Sequence, residues 1–365
     1  MKICIVIEHC SRARASRYVI ETTKYFVKSN EVHVFANTWE SLDKRVIVHK
    51  LPAFSSNYFL RQSTLTIAST VSVNTHDFDI KMAQPTRFFS PNVCMMQTIY
   101  AELNKTKFGE RMTLPSRMLL KIEKYNLKKA RKIIVVSKKI KQELLANYSF
   151  IPKESIHVIY NGVNLLRFTP KNRLKFLEEV RKRYGISSDD LLILFVSNQF
   201  RLKGLECVIR ALASLKSKNC KLLVCGKDDP MPFRLLARKL GIGERVLFAG
   251  PRPDIHKYFA ASDIFVFPTN YDAFGMVVLE AMASGLPVIS SSAAGVSEII
   301  EEGKDGLKLN NPRDHEELVE KINYLMENKD LCKKIGRRAR KKAEKFSWKA
   351  IAMKMLGVFE EVMRE

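Results

Sequence analysis

The run from Tyr271 to Met282 combines residue types that could bind a phosphorylated ligand. Gly275 allows a ligand to approach the backbone closely, and the apolar residues after it are typical of a helix whose first N–H groups have no partner. Such a helix start binds phosphate well. Glu280 lies in this apolar stretch, where a carboxylate is costly unless it accepts hydrogen bonds, for which sugar hydroxyls are suitable donors. With Asp272 at the mouth of the helix, the run predicts a nucleotide-sugar site.

A plainer interpretation makes Asp272 a helix cap and leaves Glu280 solvated on the polar face of the helix. Two upstream segments favour the ligand site. In each, a short apolar strand leads into a glycine turn and then a helix, as in the crossovers of a parallel sheet; the strands are Leu191–Ser197 and Lys221–Cys225. Lys203 lies at the mouth of the first crossover. A cation there can neutralise a departing diphosphate, although a lone surface lysine is usually only solvated.

Several motifs together make residues 191–309 resemble the donor domain of the retaining family-four glycosyltransferases, which have the GT-B fold. The segment Phe200–Gly204 resembles the family's diphosphate loop. Val246–Gly250 is similar to the strand and turn that lie against the nucleotide base. Residues 283–300 resemble the next helix, strand and loop of that domain, and Asn161–Asn164 resembles the family's interdomain linker. The resemblance thus covers most of the second half of the chain.

The resemblance also implies roles for individual residues. Asp272 and Glu280 match the family's acidic pair. Lys203 would hold the diphosphate and Glu280 the ribose hydroxyls, while Asp272 and the N–H groups near Phe274 and Gly275 would contact the transferred sugar. Lys203, Asp272 and Glu280 are therefore the implied catalytic residues. Further donor-binding residues implied by the resemblance are Arg201, Phe248 and Met276.

Within the family, residues 200–215 are most similar to the glucosyltransferases that extend the inner core of lipopolysaccharide. This resemblance implies transfer of a hexose, glucose first, from a nucleotide-sugar with uridine favoured over guanosine. The diphosphate leaves as positive charge develops at the sugar carbon, and the acceptor hydroxyl enters from the same face, so no protein nucleophile is required. The nucleotide-sugar is a substrate and not a cofactor. No metal is expected, because no cluster of Asp and His with ligand spacing lies near the donor motifs.

The sequence departs from the family's pattern at two places. Asp272 stands where the family usually has glutamate, and its shorter side chain could change which sugar hydroxyl is reached. Ala13 and Arg14 stand where the family usually has a glycine pair against the donor phosphate. Arg14 or Arg17 could instead supply a forked cation to that phosphate, as could Arg12. The alternative, that these arginines are a solvated helix start, has equal weight.

The length of 365 residues and the alternation of strand and helix patterns predict an α/β protein of two doubly wound, Rossmann-like domains that face a central cleft. The first shows strands near 2–7, 31–36, 93–97 and 132–136, and a long helix near 111–131. The seven cysteines are scattered over the whole chain and indicate reduced thiols. The predicted parts are an acceptor-binding domain (1–160), a linker (161–170), a donor-binding domain (171–345) and a C-terminal helix that crosses back to the first domain (346–365).

The net charge is +24, and residues 1–160 contain 26 basic and 12 acidic side chains. The basic residues are densest between Lys121 and Lys141, beside apolar residues that include Leu119, Ile122 and Leu127. Such a pattern favours an anionic membrane surface, to which each basic residue adds about 1 kcal/mol, over a general solubility effect. No nucleic-acid partner is expected, because no recognisable motif or aromatic stacking strip is present.

A membrane-facing first domain and a nucleotide-sugar site together predict a lipid-linked acceptor such as lipopolysaccharide core. The brief apolar run at residues 3–7 is too short for a signal peptide or a membrane span. We therefore expect a cytoplasmic protein bound peripherally to the inner face of the cytoplasmic membrane. Two alternatives remain open: a non-catalytic sugar-binding or scaffold protein with the GT-B shape, and a GT-B enzyme that acts on a soluble acceptor.

Overall fold

The computed structural model describes residues 1–11, 16–52, 58–84, 86–102 and 114–365. The chain divides into two compact units. The first unit consists of Met1–Asn161 and Trp348–Glu365, and the second consists of Gly162–Ser347. Boundaries were predicted at residues 160/161 and 345/346. Each unit is a parallel sheet covered by helices, which is the predicted fold class.

The first unit is built on a seven-stranded parallel sheet with the spatial order β3-β2-β1-β4-β5-β6-β7. The chain adds strands on one side of β1 up to β3 and on the other side from β4 onward. This reversal between β1 and β4 is a topological switch point, where open α/β sheets bind ligands at the carboxyl ends of their strands. The strands are β1 (Lys2–Cys10), β2 (Glu31–Trp39), β3 (Ile47–Lys50), β4 (Ile80–Ala83), β5 (Val93–Met96), β6 (Lys132–Val135) and β7 (Ile156–Val158).

The helices of the first unit include one from the end of the chain. That helix, α12 (Trp348–Arg364), packs on α1 (Arg17–Phe26) with the ring centroids of Phe359 and Phe26 5.6 Å apart. The C-terminal helix therefore returns to the first domain, as predicted. The other helices labelled in this unit are α2 (Tyr58–Asn74), α3 (Leu114–Lys129) and α4 (Lys138–Asn147).

The second unit repeats this plan with six parallel strands in the spatial order β10-β9-β8-β11-β12-β13. Its switch point lies between the neighbouring strands β8 and β11, which pair through Ile193 and Ile264. The strands are β8 (Leu191–Val196), β9 (Cys220–Cys225), β10 (Val246–Gly250), β11 (Ile264–Phe267), β12 (Val288–Ser291) and β13 (Leu307–Leu309). Their sequences are near-continuous apolar runs, because a parallel sheet is buried on both faces.

Seven α-helices cover the second sheet. Two of them, α6 and α9, directly follow the switch-point strands β8 and β11. The loops that lead into these two helices therefore lie at the switch point. The helices are α5 (Arg173–Arg183), α6 (Leu205–Ser214), α7 (Met231–Lys239), α8 (Ile255–Ala261), α9 (Met276–Ala283), α10 (His315–Glu327) and α11 (Lys329–Glu344). Within the described ranges of the chain, no helix has the length and apolarity to cross a membrane. The seven cysteines are free thiols, six of them buried.

Candidate functional site

Lys203 and Asp272 meet at the switch point of the second sheet. Lys203 ends the loop after β8, and Asp272 lies in the loop after the adjacent strand β11. Lys203 Nζ donates a hydrogen bond to Asp272 Oδ2 at 2.8 Å and another to the carbonyl oxygen of Tyr271 at 2.7 Å. Both side chains are half-buried. The structure therefore brings together two of the three predicted catalytic residues.

Gly204 explains why the two loops can approach so closely. Its φ is +81°, and a Cβ atom at this position would lie 2.0 Å from the carbonyl oxygen of Pro268. Only glycine fits there, since an L residue would have both an unfavourable φ and a backbone clash. The loops are also joined by a hydrogen bond from Asn270 N to the carbonyl oxygen of Leu202 at 2.9 Å. This backbone contact fixes the position of Lys203 relative to the Asp272 loop.

Asp272 is held on more than one side. Its Oδ1 accepts a hydrogen bond from Phe274 N at 3.0 Å, and its carbonyl oxygen accepts one from Gly295 N at 3.1 Å. One carboxylate oxygen thus orders the turn before α9, while the other contacts Lys203. The predicted contact between Asp272 and a transferred sugar remains a prediction.

The start of α9 has the geometry that the sequence predicted for a phosphate-binding helix end. Gly275 precedes the helix with a φ of +98°, and a Cβ atom there would lie 3.0 Å from Val296 Cγ1. Phe274 is buried beneath this turn, and Met276 is half-buried at the first helical position. Glycine is required here by its φ. Val278 N donates to the carbonyl oxygen of Gly275 at 3.0 Å, whereas the N–H groups at the first two helical positions have no acceptor in a preceding helical turn.

Glu280 lies on α9 and is only 4% exposed. The alternative in which this residue is solvated on a polar face was therefore wrong. A buried carboxylate is costly unless it accepts hydrogen bonds or faces a cation, so its position on the helix that begins at Gly275 is consistent with a binding role. The predicted contact with ribose hydroxyls stays a prediction.

Phe248 and Arg201 occupy different environments near the ends of β10 and β8. Phe248 is half-buried, 6.4 Å from Phe200 between ring centroids, and the guanidinium of Arg234 lies 4.8 Å from the Phe248 ring. Arg201 is exposed. Sequence reasoning did not select Arg234, since nothing in α7 marks it.

Asp228 is a second residue that the sequence reasoning passed over. Its Oδ2 accepts a hydrogen bond from Phe200 N at 2.6 Å, which ties the turn after β9 to the predicted diphosphate loop. The glycine turn Gly226-Lys227-Asp228 was the available signal. A carboxylate directly after such a turn often orders neighbouring backbone N–H groups.

The arginines proposed for the first unit are described only in part. Arg17 is half-buried at the first position of α1. Arg12, Ala13 and Arg14 lie outside the described residues. Their contribution to a phosphate site stays a prediction. Among the residues that the structure does describe, no group of three or more His, Cys, Asp and Glu side chains is placed to hold a metal ion.

The basic surface differs from its prediction in one respect. Leu119, Ile122 and Leu127 are buried, so these apolar residues belong to the core and not to the basic face of α3. Among the α3 side chains that the structure describes, the exposed apolar residues are Met118 and Tyr125. They lie among exposed cations of the same helix: Arg117, Lys121, Lys124, Lys128 and Lys129.

Three cations at the end of the predicted cluster have partners inside the first unit. Lys132 Nζ lies 2.7 Å from Glu365 Oε1, and Lys139 Nζ lies 3.7 Å from Glu143 Oε1. Lys141 Nζ donates to the carbonyl oxygen of Lys153 at 3.1 Å. The surface suited to an anionic partner is therefore the exposed face of α3, without these three residues.

Comparison with protein families agrees with this geometry. Residues 15–167 match the family described as Glycosyltransferase Family 4, and residues 177–342 match Glycosyl transferases group 1. The two matches fall on the two units of the fold. The chain therefore belongs to the group 1 and family 4 glycosyltransferases.

Curated relatives give a similar result at moderate identity. An uncharacterized glycosyltransferase of Methanocaldococcus jannaschii is 31% identical over 236 residues, which cover 63% of this chain and 60% of the relative. The lipopolysaccharide glucosyltransferase WaaG of Escherichia coli K12 is 29% identical over 238 residues, covering 64% of this chain and 63% of WaaG. The match thus spans less than two thirds of the length of these relatives.

Solved structures confirm the GT-B fold over the whole chain. A crystal structure of WaaG, described as a glycosyltransferase involved in lipopolysaccharide biosynthesis, superimposes with a TM-score of 0.84 at 23% identity, covering 98% of this chain and 99% of WaaG. The Anabaena protein HepE, crystallised in complex with UDP, superimposes with a TM-score of 0.80 at 20% identity, covering 99% and 100% of the two chains. At these identities the likeness concerns the fold alone.

Proposed function

We propose that this protein is a retaining hexosyltransferase that moves glucose from UDP-glucose to a membrane-associated glycolipid such as lipopolysaccharide core. The observation that carries the proposal is Lys203 at the switch point of the second sheet, beside the glycine-led start of α9 and on the same unit as the buried Glu280. A cation, a helix N-terminus and a buried carboxylate are the groups that a diphosphate and a ribose need.

Lys203 has the capacity to bind a phosphate without losing its present contacts. An ammonium has three N–H donors. Among the described residues, Asp272 and the carbonyl of Tyr271 use two of them. The third can point to an oxygen of the diphosphate, while the other two keep the side chain in place. Lys203 therefore stabilises the leaving group from a fixed position, which avoids reorganisation during the reaction.

The proposed transfer breaks the bond between the sugar C1 and the phosphate oxygen and forms a bond between C1 and the acceptor oxygen on the same face. The proton of the acceptor hydroxyl passes to the departing phosphate oxygen, so UDP leaves with the charge that balances the reaction. Lys203 and the N–H groups at the start of α9 stabilise the negative charge on that oxygen. No protein nucleophile takes part.

The membrane-associated acceptor is supported by a different feature. The cationic face of α3, with Met118 and Tyr125 exposed among lysines, has the composition of a surface that binds anionic lipid. The similarity to WaaG supports lipopolysaccharide core as the acceptor to try first. The proposed location is accordingly the inner face of the cytoplasmic membrane.

The test is calorimetric titration of UDP, GDP and UDP-glucose, followed by transfer to lipopolysaccharide core that lacks its outer sugars. We expect UDP and UDP-glucose to bind, GDP to bind more weakly, and Lys203→Ala to weaken UDP binding while its circular dichroism is unchanged. Lys333→Ala is the matched control, because Lys333 is an exposed lysine of the same unit. Retention is read from the anomeric coupling of the product by NMR.

Each outcome of this test discriminates among the open alternatives. Binding of UDP without turnover on any acceptor would favour a non-catalytic sugar-binding protein. Turnover on a water-soluble sugar in preference to lipopolysaccharide core would favour an enzyme with a soluble acceptor. Binding of no nucleotide by the folded wild-type protein contradicts the proposed function.

A further inference from the structure

The switch point of the first sheet carries a charged cluster that resembles the one in the second unit with its polarity reversed. In the second unit a lysine follows the inner strand β8 and an aspartate follows β11. In the first unit an acid, Glu8, lies near the end of the inner strand β1, and a base, Arg87, follows β4. Val6 pairs with Ala83, the last residue of β4, so Glu8 lies two residues beyond the last pair of these strands.

Four side chains surround the Glu8 carboxylate. Oε2 accepts hydrogen bonds from Gln62 Nε2 at 3.0 Å and from Arg87 Nη1. Oε1 lies 2.9 Å from Arg61 Nε and 3.1 Å from His9 Nε2. Arg61 and Gln62 both belong to α2, so this helix and the loop after β4 meet over the end of β1.

The groups of this cluster differ in how deeply they are buried. Glu8 is 7% exposed and Gln62 is 1% exposed. The side chains of Arg61 and Arg87 keep 31% and 16% of their surface exposed. The carboxylate is therefore the more deeply buried group, while the side chains of Arg61 and Arg87 remain partly exposed. A guanidinium has five N–H donors, more than one carboxylate can accept.

The charges in the cluster do not balance. Burial by itself raises the pKa of Glu8, but the Arg87 guanidinium and the hydrogen bond from Gln62 hold the pKa below its usual value. Glu8 is therefore ionised at neutral pH, and among the described side chains of the cluster its negative charge faces the two permanent positive charges of Arg61 and Arg87. The described charges of the cluster are therefore net positive, which favours an anionic ligand.

Two polar atoms in the cluster add a second observation. Gln62 Oε1 and Arg87 Nε are buried and have no hydrogen-bond partner within the described part of the chain. Buried polar atoms of this kind are uncommon, and they gather where a ligand or an ordered water completes the structure. Gln62 is held against Glu8 by its other amide atom, so the unpartnered oxygen belongs to the same cluster.

We infer that Glu8, Arg61 and Arg87 form an anion-binding centre that takes the phosphate or carboxylate group of an acidic sugar. Glu8 holds the two guanidinium groups in position, and their remaining N–H donors bind the anion as paired, charge-assisted hydrogen bonds. The assignment of the acidic sugar as the acceptor rests on the proposed function. The binding of an anion at this centre does not depend on that function. The centre predicts an acceptor with a negative charge on its sugar portion.

The experiment compares three monosaccharides by calorimetric titration into the full chain: glucose 6-phosphate, glucuronate and neutral glucose. We expect the wild type to bind both anions at least about tenfold more tightly than glucose, because a charge-assisted hydrogen bond outweighs a neutral one. Arg61→Gln should lose about tenfold or more of the affinity for the anions, and Arg61→Lys, which keeps the charge without the fork, should lie between. Arg45→Gln is the matched control, since Arg45 is an exposed, ion-paired arginine of the same unit.

UDP is titrated into the same variants so that the two proposals can fail separately. UDP binding should be equal in wild type and Arg61→Gln, and an unchanged circular dichroism spectrum and urea unfolding midpoint show that the variant is folded. If UDP does not bind the wild type while anion binding depends on Arg61, the proposed function fails and the anion centre stands. Glucose that binds as tightly as glucose 6-phosphate, an Arg61→Gln variant with wild-type anion affinity, or no binding of either anion overturns the inference.

Discussion

Lys203 Nζ lies 2.8 Å from Asp272 Oδ2, and this ion pair connects the loops after β8 and β11 at the switch point of the second sheet. The residue expected to hold a diphosphate is thus positioned by the residue expected to contact the sugar. The family usually has glutamate at this position, so in this protein a shorter side chain pairs with Lys203. Phosphate binding and sugar binding should therefore respond differently to changes at Asp272.

The first prediction concerns Asp272→Asn. Removing the carboxylate removes its repulsion toward a bound diphosphate but also releases Lys203, so we expect unchanged or tighter UDP binding together with a fall in kcat. If Asp272 also contacts the sugar, the affinity for UDP-glucose should fall relative to that for UDP. Calorimetry with both ligands and initial-rate kinetics measure these quantities.

Asp272→Glu is the control for this change, because it keeps the charge and restores the usual family residue. It should retain more turnover than Asp272→Asn. A parallel loss of affinity for UDP and UDP-glucose in Asp272→Asn would contradict the assignment, since it would mean that Asp272 acts only by holding Lys203 on the phosphate.

The second prediction concerns Gly204→Ala. A Cβ atom 2.0 Å from the Pro268 carbonyl oxygen cannot be accommodated without moving the loop, and the φ of +81° adds strain. We expect the second unit to lose about 2 kcal/mol or more of stability, beyond the cost of an αL residue alone. UDP binding should weaken as well. Urea unfolding followed by circular dichroism measures the change.

Gly357→Ala serves as the opposite case. Gly357 lies in α12, and a Cβ atom there would meet nothing within 4 Å. Because alanine is the better helix former, this substitution should stabilise the first unit by about 0.5–1 kcal/mol. Equal effects of the two substitutions would show that the contact at Pro268 does not determine the loop.

The third prediction is a pH dependence of stability in the first unit. His33 Nδ1 lies 2.8 Å from His49 Nε2, and the His49 ring stacks on Phe35 at 4.2 Å with His76 5.3 Å away. Burial, with the nearby His33 and His76, lowers the pKa of His49. Glu31 is the acidic group of this cluster and accepts from His33.

The sign of this effect follows from the lowered pKa. The unfolded chain, with a His pKa of about 6.5, takes up its proton before the folded protein does. Stability is therefore fully present above that pH and is lost as the pH falls below it, by at most about 1.4 kcal/mol per pH unit for one group. Urea unfolding at several pH values between 7.5 and 5.5 measures the slope. His49→Phe should flatten it, and an unchanged slope would exclude His49 as the cause.

The fourth prediction tests the cationic face of α3. Replacing Lys121, Lys124 and Lys128 with glutamine should weaken binding to vesicles that contain phosphatidylglycerol, by about 1 kcal/mol for each charge removed. Binding should also fall as salt is added, and vesicles of phosphatidylcholine alone should bind weakly. Sedimentation of vesicles with the protein measures both effects.

A matched control removes the same number of charges elsewhere. Lys333, Lys334 and Lys341 are exposed lysines on α11 in the second unit. Their replacement with glutamine should leave more of the vesicle binding intact. If both triple variants lose binding equally, net charge and not the face of α3 governs the interaction.

The sequence predicted the second unit better than the first, and the reason is physical. Its site is made by loops that directly follow apolar strands, so glycine turns and single motifs mark Lys203, Gly275 and Glu280. The first unit has three short strands that were missed, β3, β4 and β7, because a histidine or lysine interrupts the apolar run of each, whereas β5 and β6 are equally short but more continuously apolar. The Lys203–Asp272 contact was also missed, since it depends on which strands are neighbours.

The anion centre of the first unit was even harder to predict from the sequence than the Lys203–Asp272 contact. Glu8, Arg61 and Arg87 come from a strand, a helix and a loop that are far apart in the sequence, and only the strand order brings them together. The burial of Leu119, Ile122 and Leu127 could not be predicted either, because helical spacing does not say which face of α3 meets the sheet.

The return of α12 to the first unit has a consequence for the order in which the chain folds. Phe26 is synthesised early, but its partner Phe359 emerges only after all of residues 162–347. At ordinary rates of translation, residues 162–347 alone take roughly ten to forty seconds. By the end of that time the second unit is already complete, whereas the apolar face of α1 still lacks helix α12, which later packs on it. The domain that is begun first is therefore finished last, and the ribosome-bound chain carries its exposed apolar surface on the first unit.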